Sequence, residues 1–139
     1  WGAALCMARE HPVNGVGARG FRAAFPACDP EPGQQAAWGE GPAFHAHQIV
    51  LEILSETGGI GLLLWLAGAA LAWRAWRYAD APSRDRARPA MLALAVTVFP
   101  FNTHLALYST FWGGVTLLLA ALYAGSLLAG RQPAAAPAR

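Results

Sequence analysis

The chain has no lysine, and charged residues make up only 13% of its 139 positions. A soluble domain usually carries about 25%. The formal net charge of +2 is small and unevenly spread. It leaves no basic footprint for nucleic acid. Nor is there an N-terminal signal peptide of the charged, apolar, small-residue form. What is present points one way. Apolar residues reach 55%, with six Trp and fifteen Gly. That hydrophobicity excludes disorder for most of the chain. Trp favours membrane interfaces, and Gly is frequent in membrane helices. The composition is that of a membrane protein. With Trp1 rather than Met at its start, the chain reads as the C-terminal part of a longer multi-spanning one.

Charge spacing locates the spans. Thr57 to Trp73 holds 17 residues without a charge, roughly 26 Å of helix against a hydrocarbon layer of about 30 Å. From Pro89 to Gly130 come 42 residues in which His104 is the one group that readily charges near neutral pH. As one helix this run would be about 63 Å long, so it must turn back. Pro100 to His104, or Trp112-Gly113-Gly114, is the place to break. The expected fold is all-α: multi-spanning membrane helices, about 57–73, 90–101 and 111–129, with a partly irregular outer segment. The connection 74–88 carries Arg74, Arg77, Arg84, Arg86 and Arg88 against Asp80 and Asp85. The positive-inside rule makes it cytoplasmic. Residues 1–56 then lie outside, and the Pro/Ala-rich tail 131–139 returns to the cytoplasm as a disordered end.

In the outer segment, Trp1–Glu10 reads as the end of a helix at the membrane surface. Asn14-Gly15 and Gly17 signal tight turns. Residues 26–43 hold four Pro and three Gly and read as loop. Residues 45–56 read as an amphipathic helix, with His45, Gln48, Glu52 and Ser55/Glu56 on one side and Ile49, Ile53 and Leu54 largely on another. Such a helix can aim its polar side at a wet site beside the bilayer. The Gly58-Gly59-Ile60-Gly61 run permits close packing or a bend. Cys6 and Cys28 share this segment. They either form a bridge, worth about 3 kcal/mol in the chain-entropy model, or Cys6 is a small apolar residue facing lipid.

Three pieces in this order carry a resemblance. They are HPVNGVGARGFR, then HAHQIVLEILSETGGIGLLLWL, then FPFNTHLALYSTFWGGVTLLLAALYAG. Together they resemble the O-antigen ligase and polymerase superfamily over roughly residues 8–129, with the ligase branch favoured by the third piece. The family's Pro-x-x-Gly-x-Gly stretch falls on Pro12 to Gly17. Its His-Asn signature falls on His47, Gln48, Leu51, Glu52, Glu56, Gly58 and Gly61, with Gln48 in place of the usual Asn. The resemblance implies a multi-pass protein of the bacterial inner membrane, with residues 1–56 periplasmic. It implies transfer of a glycan from undecaprenyl diphosphate to lipid A-core, or to a second lipid-linked repeat or a protein, without a metal or other cofactor. No Asp-x-Asp motif is present to hold one.

Such a reaction needs a cation at the leaving diphosphate and a base at the attacking hydroxyl. Arginine suits the first role and histidine the second. His47 is the expected acceptor-activating group and His45 its neighbour. Arg19 and Arg22 are expected at the diphosphate, and Glu52 on the substrate side or orienting a histidine. Each has a plainer reading. The histidines can be interfacial polar residues, the arginines lipid-headgroup anchors, and Glu52 and Glu56 a solvated helix face. His104 can cap the Pro100 break, and Tyr108 and Trp112 can belong to the aromatic belt. Two other classes compete. A metalloenzyme would build on His45-x-His47, but a catalytic zinc usually takes three protein ligands. They would have to include Glu52, His11 or a cysteine. A transporter segment would place ionisable groups inside the spans, where only His104 qualifies.

Overall fold

The computed structural model describes residues 1–33, 44–103 and 106–129. The fold is all-α. Helix α1 spans Gly2–Glu10 and α2 spans Phe21–Ala24, followed by a 3-10 turn at Phe25–Ala27. Three longer helices follow: α3 at Ile49–Tyr78, α4 at Ala81–Thr97 and α5 at Thr110–Leu128. Two of them, α3 and α5, are long and apolar enough to cross a membrane. His104 and the tail 131–139 lie outside the described residues.

The helix starts differ from the sequence expectation. The amphipathic stretch becomes helical only at Ile49, where Gln48 caps it: its Oε1 accepts from Leu51 N–H at 2.6 Å. His45 and His47 therefore precede the helix. Helix α4 begins inside the expected loop 74–88. Asp80 is the reason, since its Oδ1 accepts from Ser83 N–H at 2.8 Å and Pro82 sits where a missing N–H costs nothing. The helix runs on through Pro89 to Thr97. It is 17 residues long and carries three Arg and one Asp in its first half, so it is not one of the two spanning-length helices. Helix α4 ends at Thr97 and α5 begins at Thr110, so the interruption falls at the first of the two expected breaks. Trp112, Gly113 and Gly114 are helical in α5, which Ser109 caps through Trp112 N–H at 3.1 Å.

Two clusters hold the chain together. Around α1, residues Ala3, Ala4, Met7, Phe21, Cys28 and Ala46 bury one another, and Leu51 of α3 packs on them. Cys6 and Cys28 are joined in a disulfide, which decides between the two sequence readings. At the other end of α3, Ala87, Tyr123 and Leu127 pack with Ala72, Trp76 and Met91, and Tyr123 Oη donates to Ala72 O at 2.7 Å.

The feature that positions the site is a break in α3. Gly58 has φ 64° and ψ −161°, a region that only glycine occupies readily. An unbroken helix would bond Gly59 N–H to Ser55 O and Ile60 N–H to Glu56 O. Here the Pro12–Gly17 turn takes both sides of both bonds. Val16 and Gly17 N–H donate to Ser55 O and Glu56 O at 2.8 and 2.9 Å. Gly59 and Ile60 N–H donate to Pro12 O and Val13 O at 2.8 and 3.2 Å. Two helix bonds are exchanged for four, so all four groups that the break frees find partners. The two backbones meet through glycines: a Cβ on Gly58 would lie 2.3 Å from Val13 O, and one on Gly15 would lie 2.3 Å from Glu56 C.

Candidate functional site

The first two turns of α3 form the floor of the site. Glu52 is 1% exposed and Glu56 2%. The reading of these residues as a solvated helix face is therefore corrected: their side faces inward. Residues four apart on a helix are neighbours, and each glutamate holds a different, sequence-distant piece of the chain.

Glu52 looks toward His45. Its Oε2 lies 4.0 Å from His45 Nδ1 and has no hydrogen-bond partner among the described residues. Its Oε1 accepts from Tyr108 N–H at 3.2 Å. Glu52 was expected near substrate; in this structure it is enclosed by protein and faces a histidine. His45 Nδ1 accepts from His47 N–H at 3.3 Å, which leaves its proton on Nε2 in the neutral form. Burial, and next the charge of His47, hold the His45 imidazole below its ordinary pKa. Neutral at rest, it is in the state a proton acceptor needs. Were Nδ1 to gain a proton, Glu52 Oε2 would gain a donor by an approach of about 1 Å.

His47 adopts a left-handed backbone, φ 52°. Two alternate residues would otherwise point apart, by about 200° on a helix. The left-handed turn brings the His45 and His47 rings to 3.9 Å between centroids, tilted by 43°. His47 is the exposed member and His45 the partly buried one. They thus fit an outer group that meets solvent and an inner neighbour that supports it.

Glu56 holds the other piece. Its Oε2 accepts from Arg19 N–H, and Arg19, like His47, has a left-handed backbone, φ 63°. The Arg19 side chain is exposed. Arg22, also exposed, lies with its guanidinium 3.9 Å over the Phe44 ring, a cation–π contact. Because Phe44 directly precedes His45, that stack ties the arginine turn to the histidine turn.

Pro100, Asn102 and Tyr108, from the connection between α4 and α5, close the site from the other side. Gln48 Nε2 donates to Pro100 O at 2.8 Å, and Ile49 N–H to Asn102 O at 3.3 Å. One amide thus caps α3 and fastens that connection, which is the work the signature's amide position does here. Tyr108 Oη pairs with Thr57 Oγ1 at 2.8 Å. Beyond the aromatic-belt reading, Tyr108 is half-buried and bonded to the glutamate turn. Its sequence signal was its place eight residues after a proline break that must fold back onto α3.

Among the described residues the ligand atoms that gather are not those weighed around His45 and His47 but those of Cys6, Glu10 and Cys28, within 4.8 Å of one another. Both sulfurs are committed to the disulfide, so neither is a thiolate ligand.

Residues 1–66 match the family model described as O-antigen ligase. No curated protein and no solved structure matches the chain. The matched stretch takes in α1, the arginine turn, both histidines, both buried glutamates and the Gly58 kink. Residues 1–66 are thus similar to the O-antigen ligase family, and α3, which begins within them, and α5 are helices of membrane-spanning length.

Proposed function

We propose that the protein is a membrane glycosyltransferase of the O-antigen ligase type, moving a glycan from undecaprenyl diphosphate to lipid A-core. The observation that carries this reading is the paired floor of α3. Glu52 faces the histidine turn and Glu56 bonds the arginine turn, one helical turn apart. In this reading His47 takes the proton from the acceptor hydroxyl as its oxygen attacks the anomeric carbon. The bond from that carbon to the diphosphate breaks, and the electron pair leaves on phosphate oxygen. Arg19 and Arg22 hold the diphosphate, since the guanidinium fork keeps its charge and matches phosphate oxygens. His45 steadies the His47 ring, and Glu52 acts through His45 rather than on the sugar.

The site faces the periplasm in this reading. Residues 1–56 stand outside the bacterial inner membrane and three spans follow, the shorter α4 counted as the middle one because the residues after it bond to the start of α3; residues 131–139 then end in the cytoplasm. The arginines around 74–88 support that orientation. No metal or other cofactor takes part.

The test is complementation in a host lacking its own O-antigen ligase, using the full-length protein. Wild type restores polymer-capped lipopolysaccharide on a gel. His47→Ala, at equal protein level, lowers capping by about 100-fold or more, the usual worth of a positioned base. Capping retained by that variant would move the base to His45. A wild type that lengthens lipid-linked polymer or labels a protein without capping lipid A-core would point to a polymerase or to protein glycosylation instead.

A further inference from the structure

We infer that Glu56 is a positioning residue for Arg19, its buried carboxylate holding the Arg19 backbone so that the guanidinium is presented to a lipid-linked diphosphate. This rests on the reading of Arg19 as a diphosphate ligand. Three observations lead to it. Arg19 sits in the left-handed region, φ 63°, which a non-glycine residue rarely adopts unless its surroundings hold it there. The group that holds it is Glu56 Oε2, accepting from Arg19 N–H. Glu56 is itself fixed, 2% exposed, with its own carbonyl accepting from Gly17 N–H at 2.9 Å.

The side chain of Arg19 is treated differently from its backbone. It is exposed and makes no ion pair among the described residues. Arg22, by contrast, is stacked on Phe44. A backbone locked by a buried carboxylate, bearing an exposed guanidinium whose charge also acts on that carboxylate, is an arrangement for meeting an external anion. The lock lowers the ordering cost of that encounter.

The experiment measures binding of farnesyl diphosphate to the full-length protein in nanodiscs. Arg19→Ala weakens binding about tenfold. Glu56→Gln keeps an oxygen for the Arg19 N–H and stays within about threefold of wild type. Glu56→Asp keeps the charge but falls about 1.5 Å short, one methylene, and weakens binding about tenfold. The double variant Arg19→Ala/Glu56→Asp is no weaker than Arg19→Ala, because residues acting as one unit are not additive. If the two losses multiply, or if Glu56→Gln loses as much as Glu56→Asp, the positioning role is overturned while the Arg19 site stands. If Arg19→Ala binds as wild type does, the diphosphate reading of Arg19 itself falls.

Discussion

The outer and inner halves of α3 are built on opposite principles. The outer half, Ile49 to Ile60, is broken at Gly58 and stitched to a separate turn by four backbone bonds. It buries two carboxylates and is backed by a disulfide-closed loop. The inner half runs unbroken to Tyr78 and packs on α4 and α5 through Ala72, Trp76, Ala87 and Leu127. A groove of about 860 Å³ lies along it, lined by residues such as Trp65, Ala69, Leu94 and Ala120. Among the described residues, one side-chain hydrogen bond ties it to α5, from Tyr123 Oη to Ala72 O. Apolar packing tolerates sliding and repacking, whereas hydrogen bonds and glycine contacts fix atoms. The half that holds the histidines and arginines is the half held by directional bonds.

Breaking that contrast should cost most at the kink. Gly58→Ala combines a backbone conformation that alanine rarely adopts with a Cβ 2.3 Å from Val13 O. The facing atom is backbone and has nowhere to go. We expect a loss of about 3–5 kcal/mol, from strain and two or more broken bonds together. Reversible detergent unfolding measures it, and a loss under about 1 kcal/mol would mean that the turn and helix are not in contact.

Removing the bridge comes next. Cys6→Ser/Cys28→Ser frees a loop with a sequence separation of 22, worth about 3 kcal/mol. Reductant should lower wild-type stability similarly and leave the double variant unchanged. Smallest is the inner half. Tyr123→Phe removes the Tyr123–Ala72 bond and should cost about 1 kcal/mol. If it cost more than the loss of the bridge, the inner half would depend on directional bonding after all.

Much of this contrast was legible in the residues, and the misses have physical causes. Absence of charge marks α3 and α5, because lipid excludes charge whatever the fold. The Pro100 break is legible for the same reason, since 42 uncharged residues cannot cross once. The Gly58 run announces a bend, but not that Pro12–Gly17 fills it, because a long-range backbone exchange leaves no local period. Glu52 and Glu56 were misread because carboxylates are seldom buried unless partnered, and their partners are backbone amides of Tyr108 and Arg19. Amides look the same in every sequence. His45 and His47 were placed on a helix because Gln is a weak N-cap signal and a left-handed histidine has none. The start of α4 was available: Asp80-Ala-Pro-Ser is a cap with proline in the first turn.

The central structural claim is that the Pro12–Gly17 turn replaces the missing hydrogen bonds of α3 at Gly58. Amide hydrogen exchange on the full-length protein, read at Val16, Gly17, Gly59 and Ile60, tests it most directly. The account predicts that Val16 and Gly17, though in a turn, exchange as slowly as the helical amides of α3, and that Gly58→Ala releases all four together. Fast exchange at Val16 and Gly17 in the wild type, beside protected Gly59 and Ile60, would describe an unbroken helix and contradict it.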